Sequence, residues 1–483
     1  MRAYRWGCSV GVLVVALAVG PGVPAVGAGA SPSLTVTPSS GPAGTRVHIV
    51  AAGLPSGAHV TFVWQTANGT YRTKVEPTMI SFYGYAYEQA QAELGRAAAD
   101  SQGRVVASFP APEDIGGPHQ IFAVVEGHPV AQGQFQINFS AAMTPLSGPV
   151  GTPIEITFHG LGPAPWNTES LSYDNHYTGF ISAITTHGGG HFSIRAAGAA
   201  GPHDIELNTA ANATPMLNAQ QGPGLNTRHL NFKQVWTFTV TRDTALPATR
   251  LEWPASGRVV KGAPAAPGAT LLAAAPASGP VLSRVEVHAK GLTPRAQAQV
   301  MWQTMGPGNR LTGMSPLETH PLFAAAAAPD GTLNGAFTVP DDLGGRHTIE
   351  VVQNARVVAS ALFVTTPSFV AVTPTRVKAG QQFSVEIKGV GWTEIDNAVA
   401  VTYDNAYMGY ACGFNSRGDV TIYFRATGGP GVHLIDLYPM MYQGGGEPPW
   451  TYQVPQLTTL EDGPGLGLGF GLPIFRTAVM VVP

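Results

Sequence analysis

The sequence predicts an all-β protein of four tandem antiparallel β-sandwich domains, arranged as two duplicated A-B pairs. Three observations lead there. A segment running from a proline to a glycine occurs four times: Pro38 to Gly53, Pro145 to Gly160, Pro276 to Gly291 and Pro374 to Gly389. Within each copy apolar residues fall at every second position, as Val47, Ile49 and Ala51 in the first and Phe383, Val385 and Ile387 in the last. That is the period of a strand with one buried face, here preceded by a turn and closed by a glycine. Further alternating runs follow in every copy, separated by turn residues at roughly eight- to twelve-residue spacing, the pattern of an antiparallel sandwich.

Taken in chain order, residues 1–30 read as a secretory signal. Arg2 and Arg5 give a positive start, Val10 to Val19 an apolar stretch, and Val26-Gly27-Ala28 or Ala28-Gly29-Ala30 a small-residue cleavage site. The stretch is shorter than the roughly 20 residues a bilayer span needs. Cys8 lies within the signal, so the mature chain keeps only Cys412 and has no internal disulfide. The expected boundaries are 31–138 for the first A domain, 139–241 for the first B domain, 242–270 for a linker rich in Pro, Ala and Gly, 271–366 for the second A domain and 367–483 for the second B domain.

The units alternate because they match in alternation. The A copies share Val63-Trp64-Gln65-Thr66 with Met301-Trp302-Gln303-Thr304, and Gly116-Gly117-Pro118-His119 with Gly344-Gly345-Arg346-His347. The B copies share Tyr173-Asp174-Asn175 with Tyr403-Asp404-Asn405, and align without a gap from Tyr173 to His203 at an offset of 230. In the last unit the expected strands are Phe383 to Lys388, Val399 to Tyr403, Val420 to Arg425, His433 to Leu437 and Thr477 to Val482. One stretch departs from the strand pattern. Across Tyr87 to Ala99, Glu88, Gln89, Glu93, Leu94 and several alanines predict a short helix inserted in the first A domain, and the alanine-rich Phe323 to Ala328 is its shorter counterpart.

The opening pattern Pro-x-x-Gly-x-x-Gly-Thr, an alternating strand and then Gly-Leu, resembles bacterial immunoglobulin-like domains of the IPT/TIG type. Pro38, Gly41, Gly44 and Gly53 carry it in the first domain, and Pro145, Gly148, Gly151 and Gly160 in the second. The third domain has Leu282 in place of the second glycine and the fourth has Arg376 in place of the first. The resemblance implies immunoglobulin-like sandwiches in an extracellular setting and no particular activity, because such domains serve many unrelated proteins.

Composition narrows the partners. Charged residues make up 11% of the 483, with a net charge of -3 and no basic runs, which argues against nucleic acid and anionic lipid. The apolar end from Phe470 to Val482 is broken by Gly471 and Pro473 and suits a last strand, so no membrane insertion is expected. The expected location is extracellular, with the secreted protein either free or associated with the cell surface. The expected partners are a cell-envelope component, a polysaccharide, another surface protein or a second copy of the chain.

Among candidate sites, the Tyr-Asp-Asn-x-Tyr-x-Gly segment comes first. Tyr173, Asp174, Asn175 and Tyr177, with Tyr403, Asp404, Asn405 and Tyr407, offer hydrogen-bonding groups and flat faces to a sugar. The structural alternative is a hairpin in which Asp-Asn makes the turn and the tyrosines cover the core edge. The long B-domain loops, Asn208 to Gln234 and Tyr438 to Phe475, share Pro-Met and Gly-Pro-Gly-Leu, and the second adds Tyr442, Trp450 and Tyr452. Such loops suit ligand binding or docking onto a neighbouring domain. Asp174, His176, His187, His191, His203 and Asp204 suggest a metal site, but Ala406, Arg417 and Thr421 replace three of the histidines in the paired domain. His119, His203, His347 and His433 recur once per domain at one position, which points to a structural role. No nucleophile elbow or phosphate loop is present, and the carboxylate pairs Asp174 with Glu206 and Asp404 with Asp436 are the nearest approach to a glycosidase dyad. The expectation is a protein with no catalytic residues, resident metal or cofactor: a structural or adhesive protein, with a carbohydrate-binding array and an extracytoplasmic metal-holding protein as alternatives.

Overall fold

The computed structural model describes residues 31–76, 80–163, 167–211, 213–215, 217, 233–242, 244–255, 271–306, 317–440, 453–466 and 473–483. The expected signal, most of the expected linker, Met216, Gly222 to Leu225, Tyr442, Trp450 and Tyr452 lie outside the described residues.

The first sandwich uses β1 (Ser33–Thr37), β2 (Ser40–Gly41), β3 (Arg46–Ala52), β4 (His59–Val75), β5 (Ile80–Ala98), β6 (Val105–Pro110), β7 (Gly117–Val125) and β8 (His128–Ile137). One sheet has the order β1-β3-β6 and the other β2-β8-β7-β4-β5. The first edge strand is split between the sheets, and β2 runs parallel to β8. This crossed order, with a three-stranded sheet facing a larger one, is an immunoglobulin-like arrangement. The alternation read from sequence becomes the core: Val47, Ile49 and Ala51 of β3 face Phe62 and Trp64 of β4 and Ile121 and Ala123 of β7.

The second sandwich repeats the order with β9 (Ser140–Thr144), β10 (Ser147–Gly148), β11 (Pro153–His159), β12 (Thr168–Tyr173), β13 (His176–Ser182), β14 (Gly190–Arg195), β15 (Gly201–Ala211), β16 (Thr214–Pro215) and β17 (Lys233–Val240). Its sheets are β14-β11-β9 and β10-β17-β15-β12-β13. The same plan recurs over residues 271–366 and 368–482. Each of Pro38, Pro145, Pro276 and Pro374 follows a cis peptide bond.

The helix expected over Tyr87 to Ala99 is not formed. Residues 87–98 belong to β5, which pairs with β4 through Asn68–Glu88, Gln65–Gln91 and Thr61–Arg96 in a long two-stranded hairpin. Helix propensity of Glu, Gln and Ala is a weak preference that a paired neighbour overrides, and here the polar positions stay in solvent. Phe323 to Ala326 likewise belong to the strand Leu317–Ala326, paired with Gln297–Met305. Among the described residues the helical content is a 3-10 turn at Phe414–Ser416 and the 3-10 residue Leu466.

The A-B seam is built the same way in both halves. The Gly-Gly motif marks it: Gly116 donates its N–H to Leu161 O at 2.9 Å and Gly344 to Val390 O at 3.0 Å. A Cβ on either glycine would lie 1.9 or 1.7 Å from the carbonyl oxygen of Gly160 or Gly389, so the first glycine of the motif is where the next sandwich sits. Beside it, Trp64 Nε1 donates to Asp114 at 2.7 Å and Trp302 Nε1 to Asp342 at 3.1 Å. Ionisable side chains also meet across each seam, His159 with Glu113 and His187 with Asp114 in the first half, Lys388 with Asp341 and Arg417 with Asp342 in the second.

The halves are also packed on each other. In the first sandwich β7 alternates between buried and half-exposed positions, whereas nearly every residue of Ala398–Tyr403, Gly431–Met440 and Ile474–Val482 is buried. A sheet buried on both faces must have a second layer, and here that layer is the second sandwich: Ala400, Leu434, Tyr438, Met440 and Ala478 join a core with Ile154, Phe192 and Phe238. Residues expected in the linker take part as well, Arg250–Glu252 adding a strand beside Ile474–Val482.

Candidate functional site

The Tyr-Asp-Asn segments are two-residue hairpin turns. Asp174 and Asn175 have φ of 48° and 62°, and Asp404 and Asn405 have 48° and 64°, the left-handed geometry that Asp and Asn adopt at least cost. The flanking Tyr173 pairs with His176, and Tyr403 with Ala406.

Each aspartate then has a local task. Asp174 accepts from His203 Nδ1 at 2.6 Å and from the N–H of Asp204 at 3.0 Å; Asp404 accepts from His433 Nδ1 at 2.6 Å and from the N–H of Leu434 at 2.8 Å. The tyrosine rings lie against those histidines, with centroids 5.6 and 5.4 Å apart. Their hydroxyls donate to Ala197 O at 2.8 Å and Thr427 O at 3.0 Å. Burial raises both phenols, Tyr403 to about 12. Burial alone would lower His203, but the Ala199 carbonyl and the Asp174 and Asp204 carboxylates outweigh it and hold the imidazole above its ordinary value.

Tertiary structure brings the two hairpins together. Tyr173, Asp174, His176, Ala197 and Gly198 face Tyr403, Asp404, Ala406, Thr427 and Gly428 across a cleft of about 280 Å³; each residue of one wall is the duplicate of its counterpart. Tyr177 and Tyr407 meet edge to face with centroids 6.3 Å apart, and their hydroxyls donate to Ala213 O and Gln453 O. Asn405 is buried and donates to Arg195 O at 2.8 Å, while Asn175 is exposed. Chemically the cleft offers hydrogen-bond acceptors, aromatic edges and, on one wall only, the exposed imidazole of His176.

The other residues read as metal ligands are dispersed. His187 approaches Asp114, His191 pairs with Glu461 and His203 with Asp174; among the described residues no three such groups converge. Of the imagined dyads, Asp436 is an ion-pair partner of Arg195 and Arg476. Burial pushes the Cys412 thiol up to about 11.

Sequence reasoning missed the groups that hold the halves together. Residues 453–466 lie along the edge strand β13 as a strap: Phe180 donates to Pro455 O at 2.9 Å and Leu457 to Phe180 O at 2.8 Å, in parallel alignment. Asp462, 1% exposed, ends the strap and accepts from Ser182 Oγ (2.6 Å), the N–H groups of Ile184 and Thr185 (2.9 Å each), Thr185 Oγ1 (2.7 Å) and Tyr71 Oη of the long β4–β5 hairpin (2.9 Å). The same hairpin reaches the fourth sandwich, where Phe82 donates to Glu394 at 2.5 Å. Beneath the strap, Arg195 donates to Asp436 and to Thr477 O (2.7 Å), and Arg476 to Glu252 (2.9 Å), Tyr438 Oη (2.8 Å) and Ser193 O (2.9 Å). One signal was available: Arg476 is a charge inside the apolar run Ile474 to Val482.

A scan against family models and a search of curated proteins each found no match. Among solved structures, invasin, a bacterial integrin-binding protein, is 11% identical over 84% of this chain and 76% of its own, with a TM-score of 0.21. Native α2-macroglobulin of E. coli is 11% identical over 82% of this chain, with a TM-score of 0.17, and the chain spans 29% of its length. The eight N-terminal Ig domains of Down Syndrome Cell Adhesion Molecule are 11% identical over 84% of this chain and 52% of their own, with a TM-score of 0.13. Scores this low superpose no large part of the chain, and the immunoglobulin-like assignment rests on strand order.

Proposed function

We propose that this is a secreted, non-enzymatic structural or adhesive protein of the cell surface or surrounding matrix, built from IPT/TIG-type sandwiches. The observation that supports this reading is the use made of its reactive side chains: Asp114, Asp174, Asp404, Asp436, Asp462 and Arg476 all serve turns and seams. A protein whose buried charges fasten sandwich to sandwich is suited to bear load and present a fixed surface. Its partner is an envelope component, a polysaccharide, another surface protein or a second copy.

A carbohydrate-binding role is the second reading, favoured by the cleft in which duplicated residues face each other. Both are tested by incubating residues 31–483 with whole cell envelopes and a panel of insoluble polysaccharides, beside the variant Asp174→Asn/Asp404→Asn. Retention by both proteins on envelopes supports adhesion through another surface. Retention on a polysaccharide that the variant loses without a fall in Tm supports the cleft. Absence of retention, or turnover of a glycan, overturns the adhesive reading.

A further inference from the structure

A second cleft, of about 190 Å³, opens where β11 and β14, residues 252–255, the strap and Ile474–Val482 meet. Phe192, Trp253, Leu457 and Leu460 supply apolar walls, and Glu155 and Glu461 supply carboxylates. The cations nearby are already engaged. Arg476 has its guanidinium directed to Glu252, Tyr438, Asp436 and Ser193, and Arg250 pairs with Glu252 at 2.7 Å. Glu461 accepts the N–H of His191 at 2.8 Å and pairs with its ring, which stands in solvent. Glu155 is different. It is half-buried on β11, faces Ser193 and Thr144 in register, and among the described residues its carboxylate makes no hydrogen bond or ion pair.

We infer that this cleft binds a primary ammonium group on a short apolar stem, with Glu155 as its counter-ion and Trp253 as its aromatic wall. The residues present acceptors and negative charge but few free donors, so the complement is a ligand that brings both donors and positive charge. An ammonium carries three donors and no acceptor, is drawn to an indole face, and forms a stronger bond to an ionised acceptor than a neutral hydroxyl does. A lysine side chain and an amino sugar both carry this group. The inference goes beyond the adhesive reading and does not depend on it.

The test is calorimetric titration of residues 31–483 at low salt with two probes, a capped glycyl-lysyl-glycine and the fully deacetylated glucosamine trimer, each beside its N-acetylated form. At least one ammonium probe should bind, its acetylated form about tenfold or more weaker, and affinity should fall as salt rises. Which probe binds identifies the source. Glu155→Gln should weaken binding about tenfold at unchanged Tm, and Trp253→Leu by a smaller factor. Equal binding of acetylated probes, no loss in Glu155→Gln, or no saturation by either ammonium probe at millimolar concentration overturns the inference. None of these results alters retention on envelopes, so the two proposals fail separately.

Discussion

Four histidines occupy one position in four sandwiches, and in each the Nε2 nitrogen faces the carbonyl four residues earlier: Ile115 from His119, Ala199 from His203, Leu343 from His347 and Gly429 from His433. The other nitrogen separates the two kinds of domain. In the A domains it faces Gln65 O or Gln303 O, with the ring stacked on Trp64 or Trp302; in the B domains it faces the turn aspartate. His347 and His203 respond to pH in opposite directions. Burial lowers His347, so its contribution to stability is present above the unfolded value of about 6.5 and is lost as pH falls through the lowered folded value. His203 is raised, so its contribution is full below about 6.5 and is lost as pH rises through the raised folded value. Thermal denaturation at pH 5.5 and 8.5 should therefore show His203→Asn costing more Tm at the acid pH, with the pH-dependent part of the His347→Asn loss greater at the alkaline one. Parallel slopes would mean that the two rings are held in the same charge state. The recurrence of these histidines was plain in the sequence, and so was a structural role. Their partners were not, because the carbonyl four residues back is invisible without the turn that brings it round.

At the scale of an element, the strap is the clearest example of a loop whose role only packing explains. Two motifs recur in the long B-domain loops, and the sequence left ligand binding and docking onto a neighbour both open. Residues 453–466 dock, using the free edge of β13 as any exposed edge can be used. Gly179 permits it: a Cβ there would lie 2.6 Å from Pro455 O. Gly179→Ala should lift the strap, raising the exchange rate of the Leu457 amide about tenfold or more while amides of the first sandwich core keep global protection. Unchanged exchange at Leu457 would show that the strap tolerates the displacement. The β4–β5 hairpin carries the opposite lesson. Its Glu, Gln and Ala content spoke for a helix, but register with β4 decided for strand, and the hairpin's length is what lets Tyr71 and Phe82 reach the second and fourth sandwiches.

For the whole molecule, the duplication does not produce two equal halves. Arg195 and Arg425 are duplicates, yet Arg195 is 2% exposed against Asp436 while Arg425 is exposed and donates to Gly380 O. At this position the contact between halves is thus made by one copy of the pair, whereas Tyr177 and Tyr407 meet there as both copies. A carboxylate buried between two guanidinium groups is costly to remove, since the cations remain unpaired. Asp436→Leu should lose about 3–5 kcal/mol in urea denaturation, and adding Arg195→Met should recover part of that loss because Arg476 keeps Glu252. Strict additivity of the two changes would show that the pair is not coupled across the interface.

Period and punctuation in the sequence were sufficient for the all-β class, the alternation of unlike units, the hairpin at Asp-Asn and the structural histidines. These depend on contacts within one strand, one turn or one sheet, where side-chain spacing and backbone preference act directly. Tertiary structure alone decided that the halves fold back on each other, that the strap covers β13, that the two Tyr-Asp-Asn turns face one cleft and that the Glu155 carboxylate has no partner among the described residues. Those outcomes depend on surfaces hundreds of residues apart, and an alternating strand reads the same whether its outer face meets water or another sheet. Arg476 is the one residue whose place in an apolar run hinted at the second layer.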